Sequence, residues 1–337
     1  TTGCVLLCPW ILKMLSVTED IYGNARIYIL IIFLGLPFTL LYNFLSSILR
    51  AVGDSRTPFL FLAFSACLNV VLDLICIIVF KWGCAGAAFA TITAQAISGL
   101  CCLIFIIRKV QILHPKRKDC HLQPVYVKEM LVMGLPMGLQ FSITAIGSMV
   151  MQSANNGLGS IYKQFAMCPF DALANGVSVF CSQNLGAGKI KRIRKGLWQG
   201  VGVGFIYGLL IGLVLIFAGR PLSMLFISAD QTAVLDASAK YLRCLGFFYW
   251  SLGPLSVFRM SAQGMGFSGR AIFSGVTEMI ARTFVSFAFV GTYGFTAICF
   301  ADQTAWVSAT LYITPVCLMC LRQVTREHER QQAKIAD

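Results

Sequence analysis

Residues 82–107 read WGCAGAAFATITAQAISGLCCLIFII, without one formal charge. About 20 apolar residues cross the hydrocarbon core of a bilayer, so this run reads as a membrane-spanning helix. Residues 130–162 and 196–219 are likewise uncharged. Over the 337 residues, hydrophobic side chains make up 57% and charged ones 12%, with a mean hydropathy of +0.76. That charged share is about half of what a soluble domain carries. The fold class is therefore an all-α polytopic membrane protein.

Hydropathy marks nine complete helices, near 26–47, 57–80, 83–107, 130–154, 160–182, 197–218, 239–261, 271–293 and 303–321. A helix remnant ends near Leu15; residues 1–15 lack the basic start of a signal peptide. The links are short except 108–128, which is basic and contains Pro115, and 219–238, whose Ser228, Ala229 and Asp230 suggest a short surface helix. Four parts result: an incomplete helix bundle over 1–110, a basic linker over 111–128, a second bundle over 129–322 and a polar tail over 323–337.

The two bundles share an outline. Tyr28, Gly53 and Ser55 meet Tyr241, Gly266 and Ser268 at a spacing of 213. Past a small gap, Gly83, Gly86 and Gln95 meet Gly291, Gly294 and Gln303 at 208. Paired repeats are a mark of membrane carriers. The stretch 128–215 has no counterpart upstream, so the sequence reads as a two-halved carrier whose first half lacks its first two to three helices.

The 27 Lys and Arg residues outnumber the 14 Asp and Glu residues, for a net charge of +13. Sorted by alternate links, nineteen of the basic residues fall on one side, at 50–56, 108–128, 189–195 and 259–270 and in the tail. Seven fall on the other side, and Arg282 lies within a helix. The positive-inside rule places the first set in the cytoplasm, with the C-terminus. The basic surplus is therefore topological, and nucleic acid is excluded as a partner. The turns at 50–56 and 259–270 share a side, so the halves are parallel repeats with a substrate cleft expected between them. The fourteen Cys lie mostly in apolar runs as packing residues, and the three His lie in polar loops or the tail. That pattern argues against a zinc or redox site, and no nucleophile–base pair suggests an enzyme.

A charge at bilayer depth costs roughly 2.5–3.5 kcal/mol, so the buried ones need a reason. Asp73 sits among Ile and Leu, with Asn69 one turn away on the same face and Thr91 on the next helix. Together they offer hard oxygen ligands or a proton-binding carboxylate; the alternative is a protonated Asp73 that only bonds a neighbour. Glu278 and Arg282 are four apart, so the sequence predicts a mutual pair, either structural or lining the cleft as a gate. Arg259, at a helix end, is expected to snorkel, with phosphate or lipid contact as a further option. Asp302, at the outer end of a helix, is expected to be solvated. Pro37, Pro136 and Pro254 fall inside hydrophobic segments, as static bends or as hinges.

The run Tyr42-Asn43-Phe44-Leu45-Ser46-Ser47-Ile48-Leu49-Arg50-Ala51-Val52-Gly53-Asp54-Ser55 resembles the fourth-helix exit of the multidrug and toxic compound extrusion (MATE) family. So do Asn69 to Asp73, Gly86-Ala87-Ala88-Phe89-Ala90-Thr91, Gly134-Leu135-Pro136 and Gln183-Asn184-Leu185-Gly186-Ala187-Gly188. Arg259, Gln263-Gly264-Met265-Gly266, Glu278 and Arg282 resemble a bacterial branch. The resemblance implies twelve helices in two bundles of six, in a bacterial inner membrane, exchanging drug-like cations for Na+ or H+ without a cofactor. It implies a cation site at Asn69, Asp73 and Thr91. Relatives with acids on the seventh and tenth helices differ from this chain, which has Gln140, Thr144 and Leu255 there. The stretch Gly159 to Gln183 is shorter than the family's spacing. The expected partners are the bilayer and small drug-like molecules, with the chain acting as a monomer. Two alternatives remain: a lipid-linked saccharide flippase of the same superfamily, and a non-functional membrane fragment.

Overall fold

The computed structural model describes residues 2–14, 19–113, 123–154, 158–224 and 232–336. The suggested surface helix at Ser228 to Asp230 and the basic run Pro115 to Lys118 lie outside them. The described residues are helical, in two compact units, residues 1–121 and 122–337. The first unit holds α1 (Thr2–Met14), α2 (Glu19–Ala51), α3 (Arg56–Leu74) and α4 (Gly83–Lys109). The second holds α5 (Pro124–Ala154), α6 (Leu158–Gly186), α7 (Ile190–Met224), α8 (Thr232–Phe248), α9 (Leu252–Gly264), α10 (Ser268–Tyr293) and α11 (Phe295–Ala336).

A 3-10 turn, Tyr249–Ser251, joins α8 to α9. The chain thus runs helically from Thr232 to Gly264, where the sequence suggested one helix over 239–261. Among the described residues each of the nine expected helices has a counterpart, mostly with longer ends, and the apolar stretch before Leu15 is helical as well. The polar tail is the end of α11, which continues to Ala336.

Six of the described helices are long and apolar enough to cross a bilayer. Their outward faces carry Phe217 and Phe287, 81% and 87% exposed. Apolar exposure on this scale suits lipid rather than water.

In the first unit α4 packs against α2 and α3. Leu45, Leu49, Cys102 and Ile106 form its buried core. The Tyr42 hydroxyl donates to the Pro58 carbonyl at 2.8 Å, and Ser98 donates to the Phe61 carbonyl at 2.9 Å. These bonds fasten α2 and α4 to α3.

The second unit is built on a glycine seam. Gly204, Gly208 and Gly212 recur every four residues, so they share one face of α7. A Cβ at Gly212 would lie 2.5 Å from the Gly246 carbonyl oxygen, and one at Gly208 would lie 2.7 Å from the Tyr249 oxygen. Only hydrogen fits there, and α7 lies backbone to backbone on α8 and the turn after it, as small residues permit in membranes. Despite its short spacing, α6 packs on α7 and α9 through Ala166, Phe170, Val177 and Cys181.

The repeat shows in backbone geometry. Gly53 has φ +94° and Gly266 φ +93°. Gly53 donates to the Arg50 carbonyl and Asp54 to that of Leu49; Gly266 donates to that of Gln263 and Phe267 to that of Ala262. Both are Schellman endings that need a left-handed residue. At a spacing of 213 the less exposed face of α3, including Pro58, Phe61, Ser65 and Leu72, falls on Ala271, Ser274, Glu278 and Val285 of α10.

The second register differs from the 208 suggested by glycines. At 211, buried Gly86, Ala88, Ala90, Ala94, Ser98, Cys102 and Ile106 of α4 fall on buried Ala297, Cys299, Ala301, Ala305, Ala309, Ile313 and Cys317 of α11. The glycines misled because they do different work. Gly86 is a packing residue whose Cβ would lie 3.0 Å from the Cys76 side chain. Gly294 is a turn residue with φ +53°.

Candidate functional site

The first polar group lies on α3 and α4. The Asn69 amide donates to the Thr91 hydroxyl oxygen at 3.4 Å, and that hydroxyl donates to the Ala87 carbonyl at 3.0 Å. An amide oxygen and a hydroxyl oxygen also carry acceptor lone pairs. Asp73 follows Asn69 by one turn, and its Oδ1 is buried without a hydrogen-bond partner. A buried, unpartnered carboxylate oxygen is costly. A proton or a small hard cation would relieve that cost, since oxygens of carboxylate, amide and hydroxyl type suit such ions.

The second polar group lies on α8, α9, α10 and α11, and it differs from the sequence expectation. Glu278 pairs across helices with Arg259, whose Nε also donates to the Ser274 hydroxyl at 2.9 Å. Arg259 therefore turns inward rather than snorkelling. Arg282 instead engages Asp302, with Nη2 at 2.9 Å and Nε at 3.1 Å from Oδ1. The Tyr241 hydroxyl donates to Asp302 Oδ2 at 3.1 Å. Asp302 is not solvated: it is 1% exposed. The predicted pair of Glu278 with Arg282 gives way because each residue meets an opposite charge on a neighbouring helix, which also ties the helices together.

Asp302 and Tyr241 were missed as site residues. Asp302 stands only two turns into α11, so sequence depth is ambiguous, and Tyr241 was visible only as a repeat match. Gln140 accepts a 2.7 Å bond from the Gln263 amide, buried between α5 and α9. The side chain of Thr144 lies outside the described set, and Leu255 is core. Pro37 and Pro136 sit inside α2 and α5. Pro254 is buried in the first turn of α9, where its missing N–H costs little.

These features define a multi-pass helical membrane protein with two helical units and ionisable groups inside them. The MatE family profile matches residues 2–75 and 124–286. The chain belongs to this family of MATE transporters, which are not enzymes. It is similar to the probable multidrug resistance protein YpnP of Bacillus subtilis (strain 168), with 31% identity over 304 residues, 87% of this chain and 65% of YpnP. It is also similar to the multidrug export protein MepA of Staphylococcus haemolyticus (strain JCSC1435), with 25% identity over 301 residues, 84% of this chain and 65% of MepA. The chain thus spans about 65% of the length of each of these relatives. A solved outward-facing multidrug resistance MATE transporter of the MOP superfamily matches with TM-score 0.88 and 17% identity, over 96% of this chain and 76% of that one. At that identity the match establishes the fold.

Proposed function

We propose that the protein is a secondary multidrug exporter that exchanges cationic or amphipathic drugs for Na+ or H+, with Asp73, Asn69 and Thr91 as the cation-coupling group. The observation that carries this reading is the buried, unpartnered Oδ1 of Asp73 one turn from the bonded Asn69 and Thr91. Such a carboxylate is neutralised when an ion binds and exposed to cost when it leaves. Occupancy can therefore bias two conformations differently, which coupling requires. The relatives named multidrug resistance and export proteins support the substrate class. Pro37, Pro136 and Pro254 serve as bend points in this cycle.

A saccharide-lipid flippase would need free cations to meet a pyrophosphate. Arg259 and Arg282 are engaged by Glu278 and Asp302, which weighs against it. The test is efflux of a fluorescent cationic dye from energised vesicles carrying the intact protein, with Na+ and pH gradients imposed separately. Asp73→Asn keeps normal abundance and dye binding but loses ion-driven efflux. Wild-type rates in that variant would leave Asp73 a structural residue.

A further inference from the structure

The repeat lets one half be read against the other. At the 213 spacing of α3 and α10, Asn69 stands opposite Arg282 and Asp73 opposite Ser286. At the 211 spacing of α4 and α11, Thr91 stands opposite Asp302. The bond between Asn69 and Thr91 and the ion pair between Arg282 and Asp302 therefore join the same two positions of the repeat. What differs is where the charges are. In the first half an amide and a hydroxyl sit beside a carboxylate with an unpartnered oxygen. In the second half the carboxylate has moved to the neighbouring helix, and a cation is already attached to the chain.

We propose that Arg282 is the resident cation of the second half: its guanidinium fills the repeat equivalent of the first half's ion site and keeps small cations from Asp302. A guanidinium is cationic and carries only donors. Tethered by its own side chain, it cannot leave as a free ion can. Both carboxylate oxygens of Asp302 are also taken, Oδ1 by Arg282 and Oδ2 by Tyr241. Of the two equivalent positions, only the one in the first half is then open to the coupling ion. This deepens the functional reading and takes the identity of the small cation from it.

Removing the guanidinium should convert the locked position into a binding position. Hydrogen exchange read by mass spectrometry on the purified chain tests this, in Na+ against choline at pH 8 and again in choline at pH 6. In the wild type, protection of α10 and α11, corrected for the intrinsic pH dependence of amide exchange, shows no dependence on Na+ or on pH. In Arg282→Ser, exchange in α10 and α11 slows about tenfold when Na+ is about ten times its Kd. The further change Asp302→Asn abolishes that response. Protection by acid alone would identify the ion as H+ rather than Na+. Helices α3 and α4 are read in the same experiment. Silence there in the wild type counts against the first-half site, while the gain in α10 and α11 still decides the role of Arg282.

The proposal is overturned if wild-type α10 and α11 already respond, or if folded Arg282→Ser shows no response. It is also overturned if Arg282→Ser fails to fold in Na+ and in acid alike, because a site that accepts a free ion tolerates the loss.

Discussion

Arg259 and Glu278 show what a single contact is worth inside an apolar bundle. Both side chains are largely removed from solvent, at 13% and 3% exposure. Removing one partner strands the other, which costs about 3–5 kcal/mol, while replacing both with apolar residues is often neutral. Glu278→Gln should therefore lower membrane abundance and Tm, and Glu278→Leu with Arg259→Met should recover most of the loss. Equal Tm values for Glu278→Gln and wild type would show the pair to be solvated. Asp54 makes a smaller contribution outside the membrane segments. The Thr57 hydroxyl, the Thr57 amide and the Arg56 amide donate to its carboxylate and hold it below the usual carboxylate range. A depressed folded value means that the stabilisation is complete above the unfolded value near pH 4 and drains as pH falls through the folded one. Asp54→Ala should cost about 0.5 kcal/mol at neutral pH, since solvent screens an exposed group. The gap in Tm from wild type should shrink at pH 3. Residue identities were legible in the sequence, but partners were not. The four-residue spacing of Glu278 and Arg282 is a local rule, and the acid and base on α11 and α9 outcompeted it in three dimensions.

Among the elements, α7 places the strictest demand on sequence. Its glycines let backbone meet backbone, so a methyl group at Gly212 strikes the Gly246 carbonyl rather than a movable side chain. Gly212→Ala should destabilise by about 1–3 kcal/mol through overpacking. Gly202 lies in the same helix with nothing within 4 Å of its Cβ position. Gly202→Ala should be neutral or stabilise by about 0.5–1 kcal/mol, because alanine loses less backbone freedom. Thermal unfolding of the two variants in detergent checks the contrast; equal effects would mean that the seam does not hold α7 to α8. The helices themselves were legible because long uncharged runs leave the backbone no other way to satisfy its polar groups in lipid. The 3-10 turn at Tyr249–Ser251 was not, since apolar composition continues unbroken through Phe247, Phe248, Tyr249 and Trp250. Hydropathy registers transfer cost and is blind to which carbonyl a given N–H selects. For the same reason Gly83, Gly86 and Gln95 set the second repeat register wrongly, and the burial pattern of α4 and α11 was needed to correct it.

At the scale of the molecule, the distribution of Lys and Arg becomes a statement about sides. In the second unit the basic turn at Lys189 and the tail meet directly: a Cβ at Gly188 would lie 3.0 Å from the His328 ring. Arg270 Nη1 lies 3.7 Å from Cys320 Sγ, so the turn before α10 gathers at the same end. Three of the basic clusters separated in sequence thus share one end of one unit, as the alternate-link sorting requires. Lys81 belongs to the opposite set, at the far end of α3 and its π-helical extension. If the basic end faces the cytoplasm, single cysteines placed at Gln111 and Gln331 in a Cys-free background should escape a membrane-impermeant maleimide added outside intact cells. Both should react once the membrane is permeabilised, and a cysteine at Lys81 should react without permeabilisation. Labelling from outside at Gln111 and Gln331, with protection at Lys81, would invert the protein in the bilayer. Orientation cannot follow from the helices, which are apolar along their length and indifferent to direction. It follows from the cost of carrying many cations across during insertion, which is why nineteen basic residues on one side outweigh seven on the other.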